Sequence, residues 1–253
     1  MTRAVGIDVG GTKIAGAVVD VADGSILSAR RMATDAARGP AAVLADCVSL
    51  AGELRPVAAI GIAVCELVDP SGAVRSAETV DWRGVDVAGA FTSIAPARVE
   101  SDVRAAALAE GRFGAGRGCD DFVYVSVGTG ISHCLVVDGR PRLGAHGSAV
   151  VMGAPPVEQW SSGLAFAQGR SVEDGATLLG VALAALVNAL DPGLLIVGGG
   201  LGLDDAYRER FVAAMRAAVY DPAVRELPVR AAALGADAGV IGAALAAVYA
   251  GSE

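Results

Sequence analysis

The sequence predicts an α/β protein of two lobes, built from duplicated β-β-β-α-β-α units. Three observations predict it. A short apolar run, a glycine–threonine turn and a returning apolar run occur at Val5–Val19 and again at Phe122–Val137. The apolar run Val57–Val64 follows a helical pattern, so the first part of the chain reads β-β-β-α-β. At 253 residues the chain can form one large domain or two modest lobes, each with its own core.

The elements follow in order. Val5–Val9 and Ile14–Val19 are apolar strands joined by Gly10-Gly11, and Ser25–Met32 can extend the same sheet. Pro40–Arg55 has helical spacing through Val43, Val48, Leu50 and Ala51, and Val57–Val64 is a central parallel strand. Leu67–Val74 contains the turn Asp69-Pro70-Ser71-Gly72, and Trp82–Phe91 begins as a loop and ends as a short helix. Ala97–Glu100 is a brief strand, followed by a helix over Val103–Glu110 that Ser101 or Asp102 can cap. Phe122–Val127 and Ile131–Val137 repeat the hairpin, and Arg140–Pro156 is Gly- and Pro-rich loop. Helices are expected over Glu158–Gln168, Leu178–Leu190, Tyr207–Tyr220 and Gly239–Ala250, with short strands at Leu194–Val197 and Val229–Leu234.

Composition excludes several classes. The net charge of −8 argues against non-specific nucleic-acid binding. No run of about 18 apolar residues lacks glycines or charges, so no membrane span is expected. The first strand begins within five residues of Met1, so neither a secretory leader nor an N-terminal DNA-binding helix pair is expected. The four cysteines, Cys47, Cys65, Cys119 and Cys134, are widely spaced and suggest neither a zinc site nor a disulfide framework, consistent with a reducing cytoplasm.

Four stretches carry chemistry. In Gly6–Lys13, Gly10 and Gly11 allow backbone N–H groups to approach an anion, Thr12 adds a hydroxyl and Lys13 a charge. Asp8, at the end of the first strand, can hold hydrated Mg²⁺. The stretch has neither the G-x-x-x-x-G-K-[ST] nor the G-x-G-x-x-G spacing, and an ordinary glycine hairpin is its other reading. Asp102 stands at a strand-to-helix junction, where it can be a simple N-cap or accept a proton from a substrate hydroxyl. Gly128-Thr129-Gly130 repeats the first turn, and Gly198-Gly199-Gly200 forms a backbone shelf on which a flat ring can lie.

Together these stretches resemble the ROK family of sugar kinases, within the actin-like ATPase superfamily and its ribonuclease H-like fold. Gly6–Lys13 is similar to the family's first phosphate loop, D-x-G-G-T. Ser101–Glu110 is similar to N-D-x-x-A-A-A-x-x-E, Val127–Gly130 with Gly144-Ala145-His146-Gly147 to the second phosphate loop and its sequel, and Asp191–Gly200 to D-P-x-x-I-x-G-G-G. The resemblance implies a small lobe of residues 1–100 with the C-terminal helix 237–253, and a large lobe of residues 101–236. It implies ATP and Mg²⁺ between the lobes, with phosphates over Gly10–Thr12 and Gly128–Gly130 and adenosine near Gly198–Gly200. Asp102 would be the general base toward a sugar-like acceptor, and a homodimer is common in such proteins.

The departures from the family lie on the acceptor side. The family's A-G-E-x-G-H aligns with Ala149–Ala154, so the sugar-binding glutamate is Val151 and the histidine Ala154. The cysteine-rich zinc segment is absent, Ser101 replaces the asparagine before the catalytic aspartate, and Cys65-Glu66 replaces P-G. Ordinary glucose would lose polar partners, so a modified hexose, an amino sugar or a cyclitol is expected. Ser101, Glu66, Glu78, His146 and Glu158 are the candidate polar contacts. Loss of acceptor binding, leaving a non-catalytic nucleotide-binding protein, is the alternative.

Overall fold

The computed structural model describes residues 2–55, 57–152 and 161–249. The chain divides into two compact units, the first formed by Met1–Phe113, Leu143–Ser148 and Ala236–Glu253, the second by Gly114–Arg142 and Ala149–Gly235.

The first unit is built on a five-stranded sheet. β1 (Arg3–Val9), β2 (Lys13–Asp20) and β3 (Ile26–Ala33) form an antiparallel meander, and β4 (Ala59–Val64) and β5 (Ala97–Ser101) add parallel to β1, in the order β3-β2-β1-β4-β5. β1, β2 and β4 are almost wholly buried and read as continuous apolar runs, as strands covered on both faces do. β3 is the exposed edge and carries Arg30 and Arg31, which discourage pairing with another chain. α1 (Pro40–Glu53) starts with proline in its first turn and buries Val43, Cys47 and Leu50 in a core with Ile7, Ile14, Ile60, Ile62, Trp82 and Phe91.

The last helix, named here α6 (Ala238–Tyr249), lies on β1 and β4 because glycines leave it room. A Cβ at Gly6 would lie 2.7 Å from the Val240 carbonyl carbon, and one at Gly61 would overlap the Ala243 carbonyl. On its other side α6 meets α2 (Asp102–Phe113), where a Cβ at Gly242 would lie 2.8 Å from Ala105 Cα. This contact corrects the expected boundary. The first unit runs to Phe113 instead of ending near residue 100, because α2 packs on α6 through small residues, with Ala63, Ala105 and Ala243 as a buried cluster.

The second unit repeats the plan: β6 (Phe122–Val127), β7 (Ile131–Val137) and the two-residue β8 (Arg140–Pro141) are antiparallel, with β9 (Leu195–Gly198) and β10 (Val229–Ala231) parallel to β6. The order is β10-β9-β6-β7-β8. A short α3 (Gly163–Ala167) precedes α4 (Val172–Leu190), which packs on α5 (Asp205–Ala218). α4 begins well before the expected Leu178, because the Ser171 side chain caps it by accepting from the Asp174 N–H. α4 is long and apolar enough to span a membrane by composition, yet Leu179, Leu183 and Val187 lie in the core with Phe211 and Met215. Gly180 permits that packing, since a Cβ there would lie 2.8 Å from Met215 N.

Candidate functional site

In the first unit three parallel strands deliver their carboxyl ends side by side. Asp8 pairs with Ala63, and Val64 with Ser101, so Asp8, Cys65 and Asp102 come together at one end of the sheet. Ligands of open α/β sheets bind at this end of the strands. Asp8 and Asp102 are both part-buried. Burial, then the neighbouring Asp102 charge, pushes the Asp8 carboxyl up to about 7, against the pull of Lys13. Burial also raises Asp102; its hydrogen bonds from the Cys65 thiol and the Val103 N–H restrain that rise, Glu66 adds to it and Arg104 opposes it. Gly239 of α6 lies against Asp8, where a Cβ would be 2.6 Å from the Asp8 Cγ.

The turn after β1 is held from below. Gly10 N–H donates to the Lys13 carbonyl at 3.0 Å, Thr34 N–H to the Thr12 carbonyl at 3.1 Å, and Thr34 Oγ1 to the Gly10 carbonyl at 2.6 Å. Gly11, Thr12 and Lys13 are exposed, and among the described residues the Gly11 and Thr12 N–H groups donate to no protein acceptor. The turn therefore presents free donors on a rigid base. Buried Thr34 gave no sequence signal, because its role depends on the pairing of β2 with β3.

The second unit carries the other two glycine stretches next to each other. Gly128 N–H donates to the Gly130 carbonyl at 2.9 Å, and Thr129 and Gly130 are exposed. Leu201 and Gly202 N–H groups both donate to the Val127 carbonyl, at 3.0 and 2.9 Å, which ties the Gly198–Gly200 stretch to the start of that turn. Gly199 has a φ of +80° and a Cβ there would lie 2.7 Å from Val127 N, so glycine is required. At Gly200 a Cβ would meet open space, leaving that side of the shelf free.

The five candidate acceptor contacts separate. Glu66 is buried, and its carboxylate accepts from Ser76 Oγ (2.6 Å) and from the Glu78 (2.7 Å), Thr79 (2.6 Å) and Val80 (3.1 Å) N–H groups. This corrects its assignment as a substrate contact, since the lone pairs are used to hold the loop after Ser76. Ser101, at the end of β5, is only 2% exposed. Glu78 is exposed. His146 is exposed and lines an open cavity of about 400 Å³ with Asp69, Arg75 and Ser148. Glu158 and Ala154 fall outside the described residues, and Val151 is 56% exposed.

Cys65 and Arg104 carry no local sequence mark of the contacts they make. The Cys65 sulfur lies 3.5 Å from the Val9 carbonyl, and its thiol is held protonated by lost hydration and by the charges of Asp102, Asp8 and Glu66. Arg104 was hidden inside an alanine-rich helix. Among the described residues no group of three or more His, Cys, Asp or Glu side chains could hold a metal ion. A single carboxylate can nevertheless be the whole protein contribution to a Mg²⁺ site completed by water and phosphate, and the part-buried Asp8, its proton affinity raised despite Lys13, fits a cation.

Comparison with known proteins identifies the family. The ROK family profile matches residues 4–170 and 162–249. The polyphosphate glucokinase of Mycobacterium leprae (strain TN) is 30% identical, over 96% of this chain and 74% of its own. For another curated relative, a bifunctional NanE/NanK enzyme of Brucella suis, the chain spans only 35% of the length. A ROK hexokinase from Thermus thermophilus superposes with a TM-score of 0.83 at 28% identity, covering 99% of both chains. A ROK family glucokinase from Streptomyces griseus, solved with glucose and AMPPNP, gives 0.81 at 30% identity over 97% of this chain and 99% of its own. The chain belongs to the ROK family.

Proposed function

We propose that this ROK family protein is an ATP-dependent sugar kinase that transfers the γ-phosphoryl group to a hydroxyl of a sugar-like acceptor, with Asp102 as general base. Its homologues are sugar kinases, and one was solved with AMPPNP. The observation that carries the reading is the convergence of Asp8 and Asp102 at the carboxyl ends of β1 and β5, with Asp102's affinity for a proton raised by burial. A carboxylate so placed can take the hydroxyl proton as the acceptor oxygen attacks phosphorus. The free Gly11 and Thr12 N–H groups would supply donors to phosphate oxygens. Within the second unit, the shelf at Gly198–Gly200, open on the Gly200 side, would offer a flat backbone surface to a ring. Asp8 would hold Mg²⁺ through water, and the metal, when bound, would neutralise charge on the transferring phosphoryl group.

Val151 in place of the family's glutamate supports an acceptor other than plain glucose, because an apolar side chain leaves a ring hydroxyl unpaired. A second donor is favoured by one observation: the Mycobacterium leprae relative is named for polyphosphate. Both points are tested by one experiment, product formation with ATP-Mg²⁺ or with polyphosphate across glucose, N-acetylmannosamine, glucosamine and myo-inositol. The reading expects acceptor-dependent ADP release, with glucose not the best of the four. Absence of transfer to every acceptor from either donor, with nucleotide still bound, would return the weight to a non-catalytic protein.

A further inference from the structure

The most buried charged side chain near the site has no role in the reading above. Arg104 is 1% exposed and stands two residues into α2 from Asp102. Its guanidinium is divided three ways: Nε donates to Glu100, Nη1 to the Gly147 carbonyl at 2.9 Å and Nη2 to the Val68 carbonyl at 2.8 Å. Gly147 and Val68 belong to segments far apart in sequence. They are packed closely, since Gly147 has a φ of +74° and a Cβ there would lie 2.6 Å from Asp69 Cα. The residues that follow Val68 and precede Gly147 line the open cavity of about 400 Å³, where Asp69, Arg75, His146 and Ser148 offer polar groups.

We propose that Arg104 is a positioning residue for the acceptor: its fork ties the Val68–Arg75 and Leu143–Ser148 segments to the helix that begins with Asp102, and so fixes the distance between the polar acceptor surface and the base. The proposal rests on the reading of Asp102 as base. A planar guanidinium can serve three acceptors in fixed directions, which an ammonium cannot. Glu100 balances the charge and also accepts from the Ser101 N–H at 2.8 Å, so the strand, the helix start and both segments share one buried network. The acceptor class it favours is a polyhydroxylated ring, which the mixed donors and acceptors of Asp69, Arg75, His146 and Ser148 could grip beside Pro70 and Ala145.

The test compares wild type, Arg104→Lys and the double variant Glu100→Met/Arg104→Met. The double variant removes both charges together, so no buried charge is left unpaired, and its melting temperature is measured beside wild type to separate loss of the tie from loss of the fold. Steady-state kinetics with the best sugar of the panel, and hydrogen exchange over residues 67–75 and 143–148, are the readouts. The proposal expects KM for the sugar to rise about tenfold or more in both variants, with KM for ATP within about twofold. It also expects faster exchange in the two segments and unchanged exchange in the rest of α2. If the double variant recovers wild-type melting together with wild-type sugar KM, Arg104 is only structural and the proposal is overturned. A parallel loss in sugar and ATP KM overturns it as well. If wild type turns over no acceptor, the kinase reading has failed separately, and calorimetry with the four panel sugars then decides: weaker binding by about tenfold in the variants supports the proposal, and equal or absent binding overturns it.

Discussion

Gly6→Ala is the smallest change that tests how the last helix is seated over the site. A Cβ at Gly6 would lie 2.7 Å from the Val240 carbonyl carbon and 3.1 Å from Ala244 N, both backbone atoms of α6. The Val240 carbonyl oxygen would lie nearer still, and comfortable contact needs about 3.5 Å, so α6 must retreat by more than about 1 Å. It cannot tilt freely, because Gly61 and Gly242 hold it equally close to β4 and α2. Overpacking of this kind costs about 1–3 kcal/mol, and backbone against backbone belongs at the upper end. The lower entropy of the unfolded alanine chain offsets about 0.4–1 kcal/mol, leaving a net loss of about 2 kcal/mol. Urea denaturation measures it, with Gly52→Ala as control; Gly52 lies in α1 with open space around it. The control should gain up to about 1 kcal/mol from helix propensity. Because Gly239 abuts Asp8, catalytic rate in Gly6→Ala should fall by more than the unfolded fraction explains. A Gly6→Ala protein as stable as wild type would refute the packing argument.

Three further outcomes follow from the site. Asp8 is raised from 3.8 to about 7, so the folded state keeps a proton that the unfolded state has released. Stability without metal should therefore be full below the unfolded value and fall as pH rises toward 7, by roughly 4 kcal/mol at most. Asp8→Asn should flatten most of that slope in melting curves taken from pH 5 to 8, leaving the part due to Asp102; an unchanged slope means that Asp8 is not the group. Glu66→Gln places an amide NH₂ against N–H donors, so exchange at the Glu78, Thr79 and Val80 amides should accelerate and stability drop by about 2–4 kcal/mol, a result that wild-type protection at these amides would contradict. The Cys65 thiol should react with iodoacetamide at pH 8 at least about tenfold more slowly than a free cysteine, and rates matching the free thiol would mean that lost hydration and the carboxylates around it do not hold its proton.

Much of the fold could be read from local pattern. β6 and β7 occur where the apolar runs around Gly128–Gly130 place them, and α1 starts at Pro40 as its proline signals. What was not legible depends on partners distant in sequence. Nothing local to Val103–Glu110 reveals that Ala105 meets Gly242, which is why the unit boundary lies past α2. The early start of α4 was available in Ser171 and Asp174, a cap obscured by the polar composition before Leu178. The geometry of the two glycine turns and of the glycine shelf was legible because each is a short motif whose backbone sets its shape. Glu66 was misread because a glutamate beside a strand end looks the same in sequence whether it faces a ligand or four donors of its own loop. Arg104 was missed for the same reason, its acceptors being carbonyls that no side-chain pattern marks.

The measurement that tests the central claim most directly is single-turnover phosphoryl transfer by Asp102→Asn beside wild type, at saturating ATP-Mg²⁺ and the best panel acceptor, with nucleotide affinity measured in parallel. Asparagine keeps the size and the hydrogen bond from the Val103 N–H but cannot accept the acceptor's proton. The account predicts a transfer rate lower by about 10²–10⁴ with ATP affinity within about twofold. Transfer at the wild-type rate in Asp102→Asn would contradict it and leave Asp102 as a helix cap.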